Sequence, residues 1–179
     1  SSITKFETFG FGIEPEILKD VDAEWKAFIK SAKAQLTAYW DDLEVLLVDK
    51  NIVSEMERNK IKFTKEDLIF TTKDKTGQLI FLEKGNSSAG LKHIEQRHTK
   101  DFVEKHKIQA SQVSKHIHSV FTQGDLEYSR TTVKKGKEGF ERLYKYKGKY
   151  YLLSGVGTNG FVVSAYPLDD KAAKQHIRR

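Results

Sequence analysis

After Gly124 the apolar residues of this chain stop recurring at spacings of three and four and begin to alternate. The segments "LEYSRTTVKK", "GFERLYKYK", "KYYLLSG" and "GFVVSAY" all read this way. Alternation sends successive side chains to opposite faces, so each segment reads as a strand. The connections "KGKEG", "YKGK" and "VGTNG" are turn sequences, and Asn159–Gly160 is the strongest hairpin signal among them. The C-terminal part is therefore expected to be an antiparallel meander.

The upstream part is patterned differently. From Pro15 to about Asn51, Leu18, Val21, Trp25, Phe28, Ala32, Leu36, Tyr39, Leu43 and Leu46 form one apolar helical stripe. Pro15 suits a first helical turn. "LIFT" and "LIFL", at 68–71 and 79–82, flank "KDKTG" and predict a hairpin with Gly77 at positive φ. Ser87 or Ser88 is a plausible N-cap for a helix to about Lys105. A second helix is expected from about Ser111 to Gln123, buried through Val113, Ile117, Val120 and Phe121 and ended by Gly124. Helices followed by a meander make the fold class α+β. The expected division is a helical linker over 1–60 and a functional domain over 61–179.

Composition narrows the chemistry. There is no cysteine, which excludes thiol nucleophiles, disulfides and zinc–thiolate sites. No apolar run is long enough to span a membrane as a helix. The start, "SSITKFETFG", has no signal-peptide core, and the only Met is Met56, so the chain reads as a fragment or a processed product. Residues 1–60 hold 8 basic and 12 acidic residues, a balance of −4, whereas residues 61–179 hold 23 and 13, a balance of +10. The second part alone is expected to meet a polyanion, nucleic acid foremost.

The stretch "GLKHIEQRH" carries the chemistry-bearing residues. On a helix, Leu91, Ile94, His98 and Phe102 share one face, while Lys92, His93, Gln96 and Arg97 lie on the other side. His98 reads either as a hydrogen-bonded structural histidine or as a chemical group. His93 and His98 are five apart and diverge by roughly 140°, so they do not form a helical metal pair, and no cofactor or metal is expected. On the last strand, "FVVSAYP", alternation puts Val162, Ser164 and Tyr166 on one face, and Pro167 is expected to end it. Histidines for proton transfer, cations and hydroxyl donors suit transesterification of RNA, because the nucleophile there is the substrate's own 2′-OH.

The blocks "LEKGNSSAGLKHIEQRHTKDF" and "GTNGFVVSAYP" resemble RNase toxin domains of the barnase–EndoU–colicin–RelE superfamily, especially C-terminal domains of bacterial polymorphic toxins of the LXG and contact-dependent types. The resemblance spans about residues 63–168. It implies helices on a curved antiparallel sheet and metal-independent cleavage of RNA, often tRNA. It also implies a dedicated immunity protein, expected to be acidic, and secretion to act in a target cell's cytoplasm. Lys92, His93, Ser164 and Tyr166 match the arrangement of the colicin D branch, and Arg97 and His98 match the polymorphic-toxin motif. Arg97, Arg130, Lys134, Lys135 and Thr158 are the candidates for holding substrate. The competing expectations are a nucleic-acid-binding module without catalysis and a metal-dependent nuclease.

Overall fold

The computed structural model describes the backbone of residues 15–45, 47–156 and 159–179, and the side chains of these except residues 15–20, 37–45 and 156. The chain divides into two compact units, Ser1–Val45 and Leu46–Arg179. The first holds helix α1, Pro15–Val45. Along it Trp25, Phe28 and Leu36 are exposed, and the rings of Trp25 and Phe28 stack 5.7 Å apart. Leu18, Tyr39, Leu43 and Leu46 of the expected stripe lie outside the described side chains.

The helix ends at Val45 rather than running on to Asn51, and a separate helix, α2, spans Lys50–Arg58. Its cause is Asp49, whose carboxylate accepts from the N–H groups of Asn51 (2.8 Å) and Ile52 (3.4 Å) as an N-cap. Met56 of α2 is fully buried and packs with Leu79 and Phe81. The second unit therefore begins at Leu46, and a boundary after residue 60 would separate α2 from its packing partner.

Strands β1, Leu68–Lys73, and β2, Leu79–Glu83, form the expected antiparallel hairpin with Gly77 at φ 88°. Helices α3, Leu91–His106, and α4, Val113–Gln123, follow. Strands β3 Asp125–Lys134, β4 Lys137–Tyr146, β5 Lys149–Val156 and β6 Val162–Leu168 form an open antiparallel sheet in the order β3-β4-β5-β6. A last helix, α5, Asp170–Arg178, was not expected; Asp169 caps it by accepting from the Ala172 N–H at 2.7 Å. The architecture is α+β. Among the described residues no helix is long and apolar enough to cross a membrane.

The two-residue turns are Lys135–Gly136 and Lys147–Gly148, all four residues at positive φ, as type I′ hairpins require. Asn159–Gly160 has a different task. Gly160, at φ 89°, accepts from the Phe81 N–H at 2.9 Å, and a Cβ there would sit 2.0 Å from the Leu79 carbonyl. With the parallel Phe81–Phe161 bridge, this backbone contact joins the first hairpin to the sheet.

One sheet face carries the main core, where Phe70, Ile80, Leu82, Ile94, Phe102, Phe121, Tyr144 and Leu153 pack together. The other face carries a smaller cluster, Leu143, Leu152 and Leu168 under Ala173 of α5. Two details of β6 differ from expectation. Pro167 does not end it but pairs with Tyr151, and the strand runs to Leu168. On β6 the register shifts opposite Ser154/Gly155, which makes Val163 an extra residue. Val162 consequently joins the main core and does not share a face with Ser164 and Tyr166.

Candidate active site

Residues directly opposite in an antiparallel pair share a face. On the face opposite the main core, register aligns Arg130, Glu141, Ser154 and Ser164, one from each strand. The next row is Tyr128, Leu143, Leu152 and Tyr166. Adjacent strands lie ~4.8 Å apart, so the polar row spans about 14 Å. Arg130 and Glu141 form an ion pair, Nε to Oε2 at 3.2 Å, without hydrogen-bond alignment. Ser164 is 7% exposed and its Oγ has no hydrogen-bond partner.

Helix α3 brings His98 onto Tyr166, in the row next to this one, and His93 beside it. The loop before it is held by backbone contacts. Asn86 Oδ1 accepts from the Ser88 and Ala89 N–H groups, and Gly90 donates to Val163 O at 3.0 Å. Neither Ser87 nor Ser88 is the N-cap; Gly90 occupies that position at φ 86°, where a Cβ would meet Glu83 O at 2.9 Å. A side chain at the cap would collide with the backbone that docks the helix. The same loop presents the Ser87 carbonyl, which accepts from His93 Nδ1 at 2.9 Å.

His98 Nδ1 meets Asp101 Oδ2 at 3.1 Å, and its ring stacks on Tyr166 with centroids 4.6 Å apart at 25°. The His93 and His98 rings lie edge to face at 6.2 Å. The expected divergence of the two histidines is therefore overturned. Each ring is anchored through Nδ1, one by the loop and the other by Asp101 and the Tyr166 face, and both lean to the same side. In each, the Nδ1–H donates to an acceptor, which leaves Nε2 as the ring nitrogen able to exchange a proton. Burial first, then the negative charge of Glu141 and that of an ionised Tyr128, raises the Tyr166 pKa, so its phenol stays a donor.

Of the remaining candidates only Lys92 and Arg97 share the helix of this cluster. Lys92 and Arg97 are exposed on α3, and the Lys92 backbone N–H is bound to Lys84 O at 2.9 Å. Arg130 is at the far end of the row and donates to Tyr128 Oη (2.6 Å) and to His176 O (3.1 Å). Lys134 and Lys135 are exposed at the tip of the β3–β4 hairpin. Thr158 lies outside the described residues. Sequence reasoning missed Glu141 and Ser154, which only strand register reveals. It also missed Asp101, which the spacing of three from His98 could have indicated.

The other buried histidines are different in kind. Burial depresses His106, His116 and His118; in His116, with His106, Lys147 and Lys149 adding to the effect, the pKa falls to about 4. His116 Nε2 is 2.7 Å from Tyr151 Oη. Among the described residues no group of three or more His, Asp or Glu side chains is placed to hold a metal ion. No protein-family model matches the chain, and no curated protein matches it.

Proposed function

We propose that the Leu46–Arg179 unit is an endoribonuclease toxin domain that cleaves RNA without a metal. The observation that carries this reading is the His93–His98–Tyr166 cluster, in the row next to the polar one, with both Nδ1 atoms anchored. One neutral Nε2 takes the proton of a ribose 2′-OH as O2′ attacks the adjacent phosphorus. The other imidazole, protonated, gives its proton to O5′ as the P–O5′ bond breaks. The products are a 2′,3′-cyclic phosphate and a 5′-hydroxyl. Tyr166 and Ser164 supply hydroxyl donors for the non-bridging oxygens, and Lys92 and Arg97 add positive charge near the anionic transition state.

The toxin context rests on the resemblance of "KHIEQRH" and "FVVSAYP" to polymorphic-toxin RNases. It brings with it secretion, tRNA as a target and an acidic immunity protein. The balance of +10 over residues 61–179 supports an acidic inhibitor and an RNA substrate alike. Expression of the chain without an inhibitor is expected to stop growth and to generate new 5′-hydroxyl RNA ends. His93→Ala is expected to abolish both, by a loss of about 10²–10⁴-fold in rate. A soluble, folded His93→Ala chain that still arrests growth and cuts RNA refutes the assignment.

A further inference from the structure

Among the described residues, every non-glycine at positive φ is a lysine: Lys60, Lys107, Lys135 and Lys147, at 54°, 58°, 52° and 49°. Glycine, which has no Cβ, and asparagine, whose short side chain hydrogen-bonds locally, adopt this conformation at lower energy than lysine, for which it costs about 1 kcal/mol. At these positions the chain carries a charge where backbone geometry favours a residue without one.

Two of the four line the same groove. Lys107 is the C-cap of α3 and Lys147 opens the β4–β5 turn, and both line one groove of about 400 Å³ with Gln109, Gln112, His116 and Tyr146. Both lysines are exposed. The Lys147 ammonium lies 5.3 Å from the centroid of the Tyr146 ring, whose other neighbour is the edge of His116 at 5.8 Å. The groove thus combines three cations, Lys107, Lys115 and Lys147, with neutral amides, an imidazole and a phenol. That is a surface for a backbone carrying spaced negative charges and hydrogen-bonding groups.

We propose that this groove holds the phosphodiester backbone of the RNA several nucleotides from the bond being cut. The inference rests on RNA being the substrate. Helix α3 sets the spacing, since His93 and Lys107 lie near its two ends. Fourteen residues at 1.5 Å rise make about 20 Å. At ~3.4 Å per stacked nucleotide, that is about six nucleotides. Short RNA reaches only the histidines, whereas longer RNA reaches both, so the groove confers a preference for length.

The test uses the full chain carrying Lys107→Asn and Lys147→Asn. Asparagine suits the positive φ, so the melting temperature is expected to stay level or rise. In a His93→Ala background, labelled RNA of about a dozen nucleotides is titrated over a salt series by fluorescence anisotropy. The two substitutions are expected to weaken binding about tenfold and to lower the slope of log K against log salt by about 1.4, some 0.7 per lost phosphate contact. In the otherwise unsubstituted chain they are expected to leave cleavage of a dinucleoside phosphate unchanged while slowing cleavage of the longer RNA. Unchanged affinity and slope overturn the inference. So does polyglutamate of matched charge that binds as tightly as RNA with the same dependence on the two lysines, which assigns the groove to an acidic protein. Weakened RNA binding by a chain that cuts no RNA keeps the groove and removes the nuclease reading. Cleavage abolished by His93→Ala with an unchanged salt slope does the reverse.

Discussion

The two faces of the four-stranded sheet treat polar groups in opposite ways. On the main-core face, Asp74 is buried and fully engaged. It accepts from Tyr144 Oη (2.7 Å), Arg142 Nη2 (2.8 Å), Thr76 and the Gln78 N–H. Burial alone would raise its pKa, but the hydrogen bonds from Thr76, Tyr144, Arg142 and Gln78 outweigh this and hold it below the ordinary carboxylate value. His116 on the same side is neutral and bound to Tyr151. On the opposite face, Ser164 Oγ has no partner, and His98, stacked on Tyr166 of that face, and His93 beside it each hydrogen-bond through Nδ1. Saturated polar groups tie elements together. Unused capacity, at the buried Ser164 Oγ and at the two half-buried imidazoles, is what the proposed site would draw on. The histidines of α3 show that the residue type does not decide the role, because His106 on the same helix is buried and has a depressed pKa.

The largest expected effect falls on the open face. His98→Gln is expected to reduce RNA cleavage by about 10²–10⁴-fold while lowering stability by only about 1 kcal/mol, since the side chain keeps 21% exposure and Asp101 remains near solvent. Melting temperature and cleavage rate measured on one sample separate the two. A destabilised variant that cuts at the normal rate per folded molecule would make His98 a positioning residue that braces Tyr166.

Next is Asp74→Ala on the core face. It leaves Arg142 and Tyr144 without their shared acceptor and is expected to lose about 3–5 kcal/mol of stability by chemical denaturation. Cleavage by the fraction that remains folded should be normal. A loss under 1 kcal/mol would show that the faces do not differ in the way described.

Ser164→Ala reverses that pattern. It removes a buried hydroxyl that pairs with nothing, so stability is expected to stay level or rise. Cleavage is expected to fall about tenfold, which is about 1.4 kcal/mol on the barrier. Full activity in this variant would take Ser164 out of the site.

The smallest effect is graded with pH. His106, His116 and His118 have folded pKa values below their unfolded values, so the unfolded chain binds more protons as pH falls. Their contribution is fully present above the unfolded value near 6.5 and is lost progressively towards about 4, the folded value of His116. His116→Gln is expected to flatten the dependence of stability on pH across that window. An unaltered slope would mean that His116 is not protonated differently in the two states.

Much of this was legible in the sequence. Alternation gave the four strands, and spacing gave the hairpin at 68–83 and the helices α3 and α4 with their buried residues. Asp49 and Asp169 were readable caps for the two missed helices, but short helices with few apolar residues give weak periodicity. What one-dimensional pattern could not supply was register. The Arg130–Glu141–Ser154–Ser164 row exists only once strands pair, and the extra residue Val163 moves Val162 to the other face. Ring orientation was equally hidden, since the His93–His98 approach depends on a loop carbonyl and on the Tyr166 face. The Asn159–Gly160 step does lie in the connection of the antiparallel β5–β6 pair, but the close backbone approach of Gly160 to Leu79 was not readable from the sequence.

The central claim is that a metal-free histidine pair on the open face cuts RNA through the ribose 2′-OH. The direct measurement incubates the purified chain with RNA in excess chelator and identifies the new ends by mass spectrometry. Cleavage that persists in chelator and leaves 2′,3′-cyclic phosphate and 5′-hydroxyl ends is the predicted result. RNA left intact, or cut only when divalent metal is restored and leaving 5′-phosphates, would contradict it.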